Sequence, residues 1–179
     1  MNDTAHDLIL EIEAELHAEL RAPLSTPVGE EDSVIPKYAE RIRAVDEVRF
    51  LTEVFREVGT SYLTQWALRL AFVWKDFSFA QWRTILREIS DNELAVYGFT
   101  WAASELLALD VASMIESDPE ISDRARRRFA WTFREGVPKA TDWAREMLEN
   151  QGVDCQAMWR RLASEGAPMN IRLTQAQGE

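Results

Sequence analysis

The sequence predicts an all-α protein, a single-domain bundle of about six to seven helices with an N-terminal amphipathic helical arm. Apolar residues recur at intervals of three and four along most of the 179-residue chain, which is the spacing of a helix face. No segment alternates apolar and polar residues in the way a half-buried strand does. Hydrophobic residues make up 46% of the chain and charged residues 28%, a composition that excludes a wholly disordered protein.

The first predicted helix, which ends at about residue 21, forms the arm. Carboxylates cover most of its surface and leave one narrow apolar stripe. The segment that follows, residues 22–36, contains three prolines and one glycine, which interrupt helical structure. We therefore predict an acidic amphipathic arm and linker over 1–34, a helical bundle over 35–166 and a flexible tail over 167–179.

Two helices are predicted to open the bundle. The first covers about residues 36–58, begins at Pro36, whose fixed backbone angle suits a first helical turn, and ends before Gly59. It carries the most regular apolar stripe of the chain. The second covers about residues 61–75 and has few charged residues, which predicts burial on most sides.

Capping signals locate the next two helices. Ser78 and Gln81 form a capping-box pattern at the start of a fourth helix. Ser90 and Glu93 repeat that pattern at the start of a fifth helix, predicted over about 91–116. Because the fifth helix has apolar residues on several faces, we expect it to be the central element. One of its sides is predicted to carry Leu94, Tyr97, Trp101, Ala108, Val111 and Ile115.

Three further helices complete the prediction. Asp118 and Pro119 form an N-cap and first-turn pair, which predicts the start of the sixth helix. A short helix is predicted over about 138–150, because Pro138 can occupy a first helical turn. Asp154 is predicted to cap the last helix, over about 155–164.

Charge is unevenly distributed along the chain. There are 20 Lys and Arg against 31 Asp and Glu, a net charge of −11. Residues 1–120 carry 10 basic and 23 acidic side chains, whereas residues 121–179 carry 10 and 8. Because phosphate contacts require Lys or Arg, we expect direct nucleic-acid binding only within a larger complex, through the arginines between positions 124 and 128. An alternative is that the acidic surface mimics nucleic acid and fills a basic groove of a partner.

Cys155 is the only cysteine, so one chain can form neither a disulfide nor a thiolate metal cluster. It lies near a predicted helix start, where the helix dipole favours the thiolate, but no histidine is close in sequence to act as a base. The N-terminus lacks the basic region of a secretory signal, and no stretch approaches the roughly 18 apolar residues of a membrane span. We therefore expect a cytoplasmic protein that does not associate with membranes.

The chain offers few candidates for catalysis or metal binding. Its two histidines, His6 and His17, lie in the arm, and neither follows a glutamate by three residues as in di-iron helical bundles. We therefore predict no metal site and no cofactor. Glu105 and Asp110 remain as catalytic candidates, because burial in the most apolar helix would raise the pKa of a carboxyl group. The alternatives are that they pair with an arginine of an adjacent helix, Arg69, Arg83 or Arg87, or that each lies at the edge of its helix.

Seven tryptophans are a high number for a helical protein of this size and suggest an interface or a pocket as well as a core. Trp66, Trp82 and Trp101 fall on inner stripes, so we expect them to fill the core or to line a pocket. Trp143 and Trp159 lie beside charged residues in short helices. We expect these two to be exposed anchors for a partner.

These observations favour a non-catalytic protein-interaction module, such as a subunit, adaptor or inhibitor of a larger complex, over an enzyme. The arm could lay its apolar stripe into a groove of a protein partner, and a homo-oligomer is compatible with the same features. The alternative is a helical enzyme or small-molecule-binding protein with an aromatic pocket and the carboxylates of Glu105 and Asp110, with or without a metal. The residues expected to bind the partner are Ile12, Leu16, Leu20, Arg124, Arg127, Arg128, Trp143 and Trp159.

Overall fold

The computed structural model describes residues 4–21, 34–57, 75–132, 141–150 and 152–173. Within these ranges it contains nine α-helices, one isolated β-bridge and no strand, so the predicted all-α class is confirmed. The chain divides into two compact units, residues 1–54 and 55–179. The helices are α1 Ala5–Arg21, α2 Val34–Ala44, α3 Glu47–Glu57, α4 Phe79–Ile89, α5 Glu93–Leu106, α6 Val111–Ser117, α7 Asp123–Thr132, α8 Asp142–Asn150 and α9 Cys155–Ser164.

In the first unit, α1 packs against α2. The Tyr38 hydroxyl donates hydrogen bonds to the carboxylates of Glu15 at 2.7 Å and Glu11 at 3.2 Å, and Arg41 donates two hydrogen bonds to Glu11 at 2.8 and 3.1 Å. Ile12, on the apolar stripe of α1, is 0% exposed. The described part of this stripe is therefore buried within the protein, whereas the sequence led us to expect it to lie open for a partner.

The helix predicted over 36–58 is interrupted, and the prediction of one continuous helix is wrong. Asp46, between α2 and α3, has a φ of 66°, in the left-handed region that aspartate tolerates better than most residues. Its carboxylate accepts the backbone N–H groups of Val48 at 3.1 Å and Arg49 at 3.3 Å. Asp46 thus ends the preceding helical segment through its backbone conformation, and its side chain caps the start of α3.

In the second unit, α5 contacts α4, α6 and α8, which confirms it as the central helix. The ring of Phe99, 0% exposed, lies 5.4 Å from that of Phe55 and 6.2 Å from that of Trp82 between centroids. The capping box of Ser78 and Gln81 at the start of α4 is confirmed, with both of its reciprocal hydrogen bonds present. The second predicted box is wrong, because Asn92 caps α5.

The helix predicted over 91–116 is also interrupted. The helix α5 ends at Leu106, and Ala108 in the connection has a φ of 53°. The next helix, α6, is capped by Asp110, whose carboxylate accepts the backbone N–H of Ser113 at 3.0 Å. Between α5 and α6 the helical hydrogen bonds are interrupted, and Pro168 and Asn170 of the C-terminal segment bond to the backbone there instead. The N–H of Asp110 donates to the carbonyl of Pro168 at 2.8 Å, and the N–H of Asn170 donates to that of Ala108 at 2.8 Å.

The end of α5 is closed by what we call the C-terminal clasp, formed by Trp159 and residues 167–170. The indole N–H of Trp159 donates to the carbonyl of Leu106 at 3.1 Å. The side-chain amide of Asn170 donates to the carbonyls of Ser104 at 3.2 Å and Leu109 at 3.3 Å. The last carbonyls of a helix lack partners within it, so the clasp satisfies groups that burial would otherwise leave unpaired. Residues 167–170 of the predicted flexible tail are thus part of the packed unit.

Asp118 was predicted to cap the sixth helix, but that helix, α7, begins later, at Asp123. Asp118 is instead buried, 3% exposed, and accepts hydrogen bonds from Arg87 at 2.8 and 2.9 Å and from Arg83 at 3.2 Å. Burial alone raises the pKa of Asp118, but the hydrogen bonds from Arg87, the Glu120 backbone N–H and Arg83 outweigh it and lower the pKa to about 2.

The remaining predictions on the fold have mixed outcomes. The last helix is confirmed, since the carboxylate of Asp154 accepts the N–H of Ala157 at 2.9 Å at the start of α9. The predicted helix over 61–75 lies outside the described residues except for Lys75, and the domain limits at 34 and 166 stay predictions. Among the described helices, none is long and apolar enough to cross a membrane.

Candidate protein-docking surface

The outer face of α5 carries an unusual surface for a helix whose other sides are buried. Nine of the 14 residues of this helix are buried, so only a narrow side remains open. Each residue turns a helix by 100°, and the open positions after Glu93 fall within about 80° of one another. We call this side the α5 strip: Leu94, Tyr97, Trp101 and Glu105.

The α5 strip is apolar over most of its length. Leu94 is 65% exposed and Tyr97 is 40% exposed, and Trp101 is partly exposed. The rings of Tyr97 and Trp101 lie side by side, with centroids 6.4 Å apart and planes at 58°. The solvent-facing side of a buried helix is ordinarily polar. Three neighbouring apolar or aromatic side chains on that side therefore form a candidate docking surface, because exposed apolar patches are common where proteins contact other molecules.

Glu105 ends the α5 strip with a carboxylate. It is partly exposed, and burial raises the pKa of its carboxyl group above the ordinary value. Within the described residues, Glu105 has no hydrogen-bond or ion-pair partner. A charge that is partly removed from water and unpaired is costly, so this group would gain from a cation placed over it.

The other end of the α5 strip lies beside the arginines of α7. Arg128 forms an ion pair with Glu93, the residue before Leu94, at 3.5 Å. Arg124 lies one helical turn before Arg128 on the same side, and both are exposed. The α5 strip thus has Arg128, paired with Glu93, beside its Leu94 end, and at its other end the Glu105 carboxylate, which has no partner among the described residues.

The predicted arginine patch is only partly exposed. Arg127 is exposed, as are Arg124 and Arg128. Arg126 instead turns inward, where its guanidinium donates to the backbone carbonyls of Asp118 and Ile115 and pairs with Asp123 at 3.0 Å. The inward arginine ties α7 to the end of α6, which fixes the direction in which the exposed ones project.

The other residues predicted to bind a partner are scattered. Trp143 is 57% exposed, as expected, whereas Trp159 is 4% exposed and the expectation that it is an exposed anchor is wrong. The charged neighbours of Trp159 in sequence lie on other sides of α9, while its ring faces the end of α5. Ile12 is buried, and the side chains of Leu16 and Leu20 lie outside the described residues.

The aromatic pocket predicted from Trp66, Trp82 and Trp101 is not formed by the two of them that the structure describes. Trp82 lies against Phe99 in the interior, whereas Trp101 lies on the α5 strip. Phe99 and Trp101 are two residues apart on a helix, so they project to nearly opposite sides. Trp66 lies outside the described residues.

The two carboxylates predicted as catalytic candidates have different surroundings. Asp110 uses both carboxylate oxygens on Ser113, accepting its N–H at 3.0 Å and its hydroxyl at 2.8 Å as the cap of α6. Glu105 lies on the α5 strip. Arg83 and Arg87, considered as their partners, bind Asp118 instead, and Arg69 lies outside the described residues. In the described ranges, no group of three or more His, Cys, Asp or Glu is placed to hold a metal ion.

Cys155 is buried, and its environment opposes the thiolate that the helix dipole was expected to favour. Burial, followed by the nearby carboxylates of Glu149 and Asp154, raises the pKa of the thiol to about 11. We expect iodoacetamide to modify native Cys155 at least about 100-fold more slowly than the unfolded chain, because the thiolate is the reacting form. Labelling followed by mass spectrometry, with and without urea, measures the ratio; equal rates would contradict the assignment.

The sequence predicts the spacing of the residues in the α5 strip but not their exposure. The spacing places Leu94, Tyr97 and Trp101 on one side of a helix, but it also predicts that Trp101 fills the core or lines a pocket. The missed signal is the small size of the residues on the buried sides, among them Ala95, Ala102 and Ala103, which allow neighbouring helices to approach closely.

Comparisons of the chain with protein-family models, with curated proteins and with solved structures each find no match.

Proposed function

We propose that the protein is a non-catalytic protein-interaction module that docks on its partner through the α5 strip. The observation that carries this proposal is the row of exposed Leu94, Tyr97 and Trp101 on a helix whose other sides are buried. Tyrosine and tryptophan contribute most of the binding energy at many protein interfaces, since they exclude water over a large rigid area. The adjoining arginines of α7 supply the polar rim that such interfaces require.

The burial of Ile12 in the first unit moves the proposed docking surface from α1 to α5. An apolar side chain that is already covered by its own chain gains nothing from a second partner. The exposed Trp143 on α8 is a second apolar side chain available to a partner, but it is not part of the α5 strip. Trp143 therefore serves as the control position for substitutions in the α5 strip.

The helical-enzyme alternative has one supporting observation, the raised pKa of Glu105, which suits a general acid or base. Catalysis also needs a second group facing the same site. The other carboxylate predicted as catalytic, Asp110, accepts two hydrogen bonds from Ser113 as the cap of α6. The chemistry of Glu105 is better explained by its place at the end of an apolar docking surface.

The proposal predicts that a photo-reactive residue in the α5 strip forms a specific protein adduct in the native host. p-Benzoylphenylalanine at position 97 should yield a discrete crosslinked product, because Tyr97 lies at the centre of the exposed row. The same group at position 160, an exposed site on α9, is the control. Adducts of equal yield and pattern at both positions, or none at position 97, would refute the proposal.

Truncating the strip should then weaken that contact. With the photo-reactive group at position 94, the double substitution Tyr97→Ala and Trp101→Ala should lower the partner affinity at least about 30-fold, since interface aromatics each contribute about 2 kcal/mol or more. Trp143→Ala is the matched control and should change the affinity less than about 5-fold. Circular dichroism and thermal melting establish that each variant is folded. A double variant that retains full adduct yield would contradict the role of the strip.

A further inference from the structure

We infer that the partner on the α5 strip is a second copy of this chain, bound antiparallel about a two-fold axis that crosses α5 near Tyr97 and Trp101. The inference rests on the proposed function and names its partner. It follows from the way charge is arranged along the α5 strip. A two-fold contact brings the same surface of both copies together, so the surface has to be complementary to itself.

The α5 strip is complementary to itself in only one direction. It extends about 16 Å from Leu94 to Glu105 along the helix. In a parallel pairing, Glu105 would face Glu105 of the other copy, and two partly desolvated carboxylates repel each other. In an antiparallel pairing, Glu105 faces the Leu94 end of the other copy, where Arg124 and Arg128 are exposed. The Glu105 carboxylate, which has no partner within the described ranges, then meets a cation in each of the two symmetry-related contacts.

The antiparallel pairing also places the aromatic residues at its centre. Tyr97 and Trp101 lie midway between Leu94 and Glu105, so the two-fold axis passes beside their rings. The rings of Tyr97 and Trp101 of one copy then pack against the same two rings of the other copy. Interface residues with the largest energetic effect cluster near the centre and are surrounded by side chains that exclude water.

The size of the strip limits the strength of the dimer. Four side chains along about 16 Å of one helix cover less than the roughly 800 Å² per partner that a stable interface buries, so the α7 side chains have to contribute. The net charge of −11 on each chain further opposes association at low salt. We therefore expect a reversible dimer with a dissociation constant of about 1–100 µM at physiological salt.

Charge reversal at the two ends of the strip tests the pairing with the full-length chain alone. Sedimentation velocity over a range of concentrations should show a monomer–dimer equilibrium for the unaltered protein. Glu105→Arg and, separately, the double variant Arg124→Glu with Arg128→Glu should each weaken the dimer at least about 10-fold, because each creates two like-charge contacts. Glu149→Arg and the double variant Arg49→Glu with Arg160→Glu make the same charge changes at exposed sites outside the strip and serve as controls.

Mixing the two reversed variants gives the decisive measurement. In the mixed dimer, the arginine introduced at position 105 of one copy meets the new glutamates of the other, and the second contact has the original charges. Both contacts are then attractive, so an equimolar mixture should recover dimerisation to within about 3-fold of the unaltered protein. Leu94→Lys, at the most exposed position of the strip, is a further variant that should prevent dimerisation without disturbing the fold.

The possible outcomes separate this inference from the proposed function. A protein that stays monomeric at all concentrations, or a dimer that charge reversal leaves unchanged, overturns the antiparallel dimer. So does a mixture of variants that fails to recover association. If the chain is monomeric while position 97 crosslinks to a different protein, the inference fails and the proposed function stands. If neither association nor a specific adduct is found, both are wrong.

Discussion

Replacing Asp118 by alanine should lower the free energy of unfolding by about 3–5 kcal/mol, which is the usual effect of removing one partner from a buried ion pair. The Asp118 carboxylate is 3% exposed and holds Arg83 and Arg87 of α4 against the segment between α6 and α7. Without it, the guanidinium of Arg87, itself only 26% exposed, loses its buried partner and retains the ion pair with Glu120 at 2.8 Å, whose side chain is 66% exposed. Urea unfolding at neutral pH, followed by tryptophan fluorescence, measures the change.

A matched control lies in the same region. Asp123 pairs with Arg126 at 3.0 Å, but its side chain is 77% exposed. Because water screens such a pair, Asp123→Ala should cost less than about 1 kcal/mol. Equal effects of the two substitutions would show that Asp118 does not bind its arginines in a buried site.

The pH dependence of stability provides an independent check on Asp118. The pKa of Asp118 is lowered from 3.8 to about 2 in the folded protein. The ionised carboxylate therefore stabilises the fold at pH values above its unfolded pKa, and this stabilisation is lost as the pH falls towards 2. It amounts to about 2 kcal/mol. The stability difference between the unaltered protein and Asp118→Asn should consequently shrink between about pH 5 and pH 2; a constant difference would contradict the shift.

The second large effect is expected at Phe99. Phe99→Ala should lower the free energy of unfolding by about 3–5 kcal/mol, because it removes buried surface and leaves a cavity in the interior of the second unit. The ring of Phe99 is 0% exposed and makes an edge-to-face contact with Phe55 at 67° between planes. Such aromatic contacts add roughly 0.5–1.5 kcal/mol to the effect of burial alone.

Comparison with the neighbouring strip residue sharpens this test. Tyr97 lies two residues before Phe99 on the same helix but is 40% exposed, so Tyr97→Ala should cost about 1 kcal/mol or less. Denaturant unfolding of both variants with a common m-value gives the comparison. If Phe99→Ala costs no more than Tyr97→Ala, the assignment of inner and outer faces of α5 is wrong.

Features encoded by neighbouring residues could be predicted from the sequence. The capping box of Ser78 and Gln81 and the cap at Asp154 depend on groups three residues apart, and both are confirmed. The stops at Asp46 and Ala108 could not be predicted in this way, because neither is a glycine although both have a positive φ. At Ala108 the conformation is held by hydrogen bonds to Pro168 and Asn170, which are distant in sequence.

The candidate site shows the same limit. The spacing of Leu94, Tyr97 and Trp101 was sufficient to place them on one side of a helix, but not to decide whether that side faces the core. Trp159 was misjudged for a related reason. Its charged neighbours suggested exposure, whereas its indole N–H finds its partner at Leu106, 53 residues earlier in the chain. Inner and outer faces are decided by such distant contacts, which a local pattern does not contain.

The C-terminal clasp has a consequence for the order in which the protein folds during its synthesis. Two carbonyls at the end of α5, those of Leu106 and Ser104, are bound by side chains that lie 53 and 66 residues later in the sequence, and the carbonyl of Leu109, just beyond the helix, is bound by a side chain 61 residues later. A ribosome therefore releases the whole of α5 well before the groups that close its end have been translated. Contacts between distant residues form slowly, and two of these hydrogen bonds come from Asn170. The second unit therefore completes its folding only after residue 170 has left the ribosome.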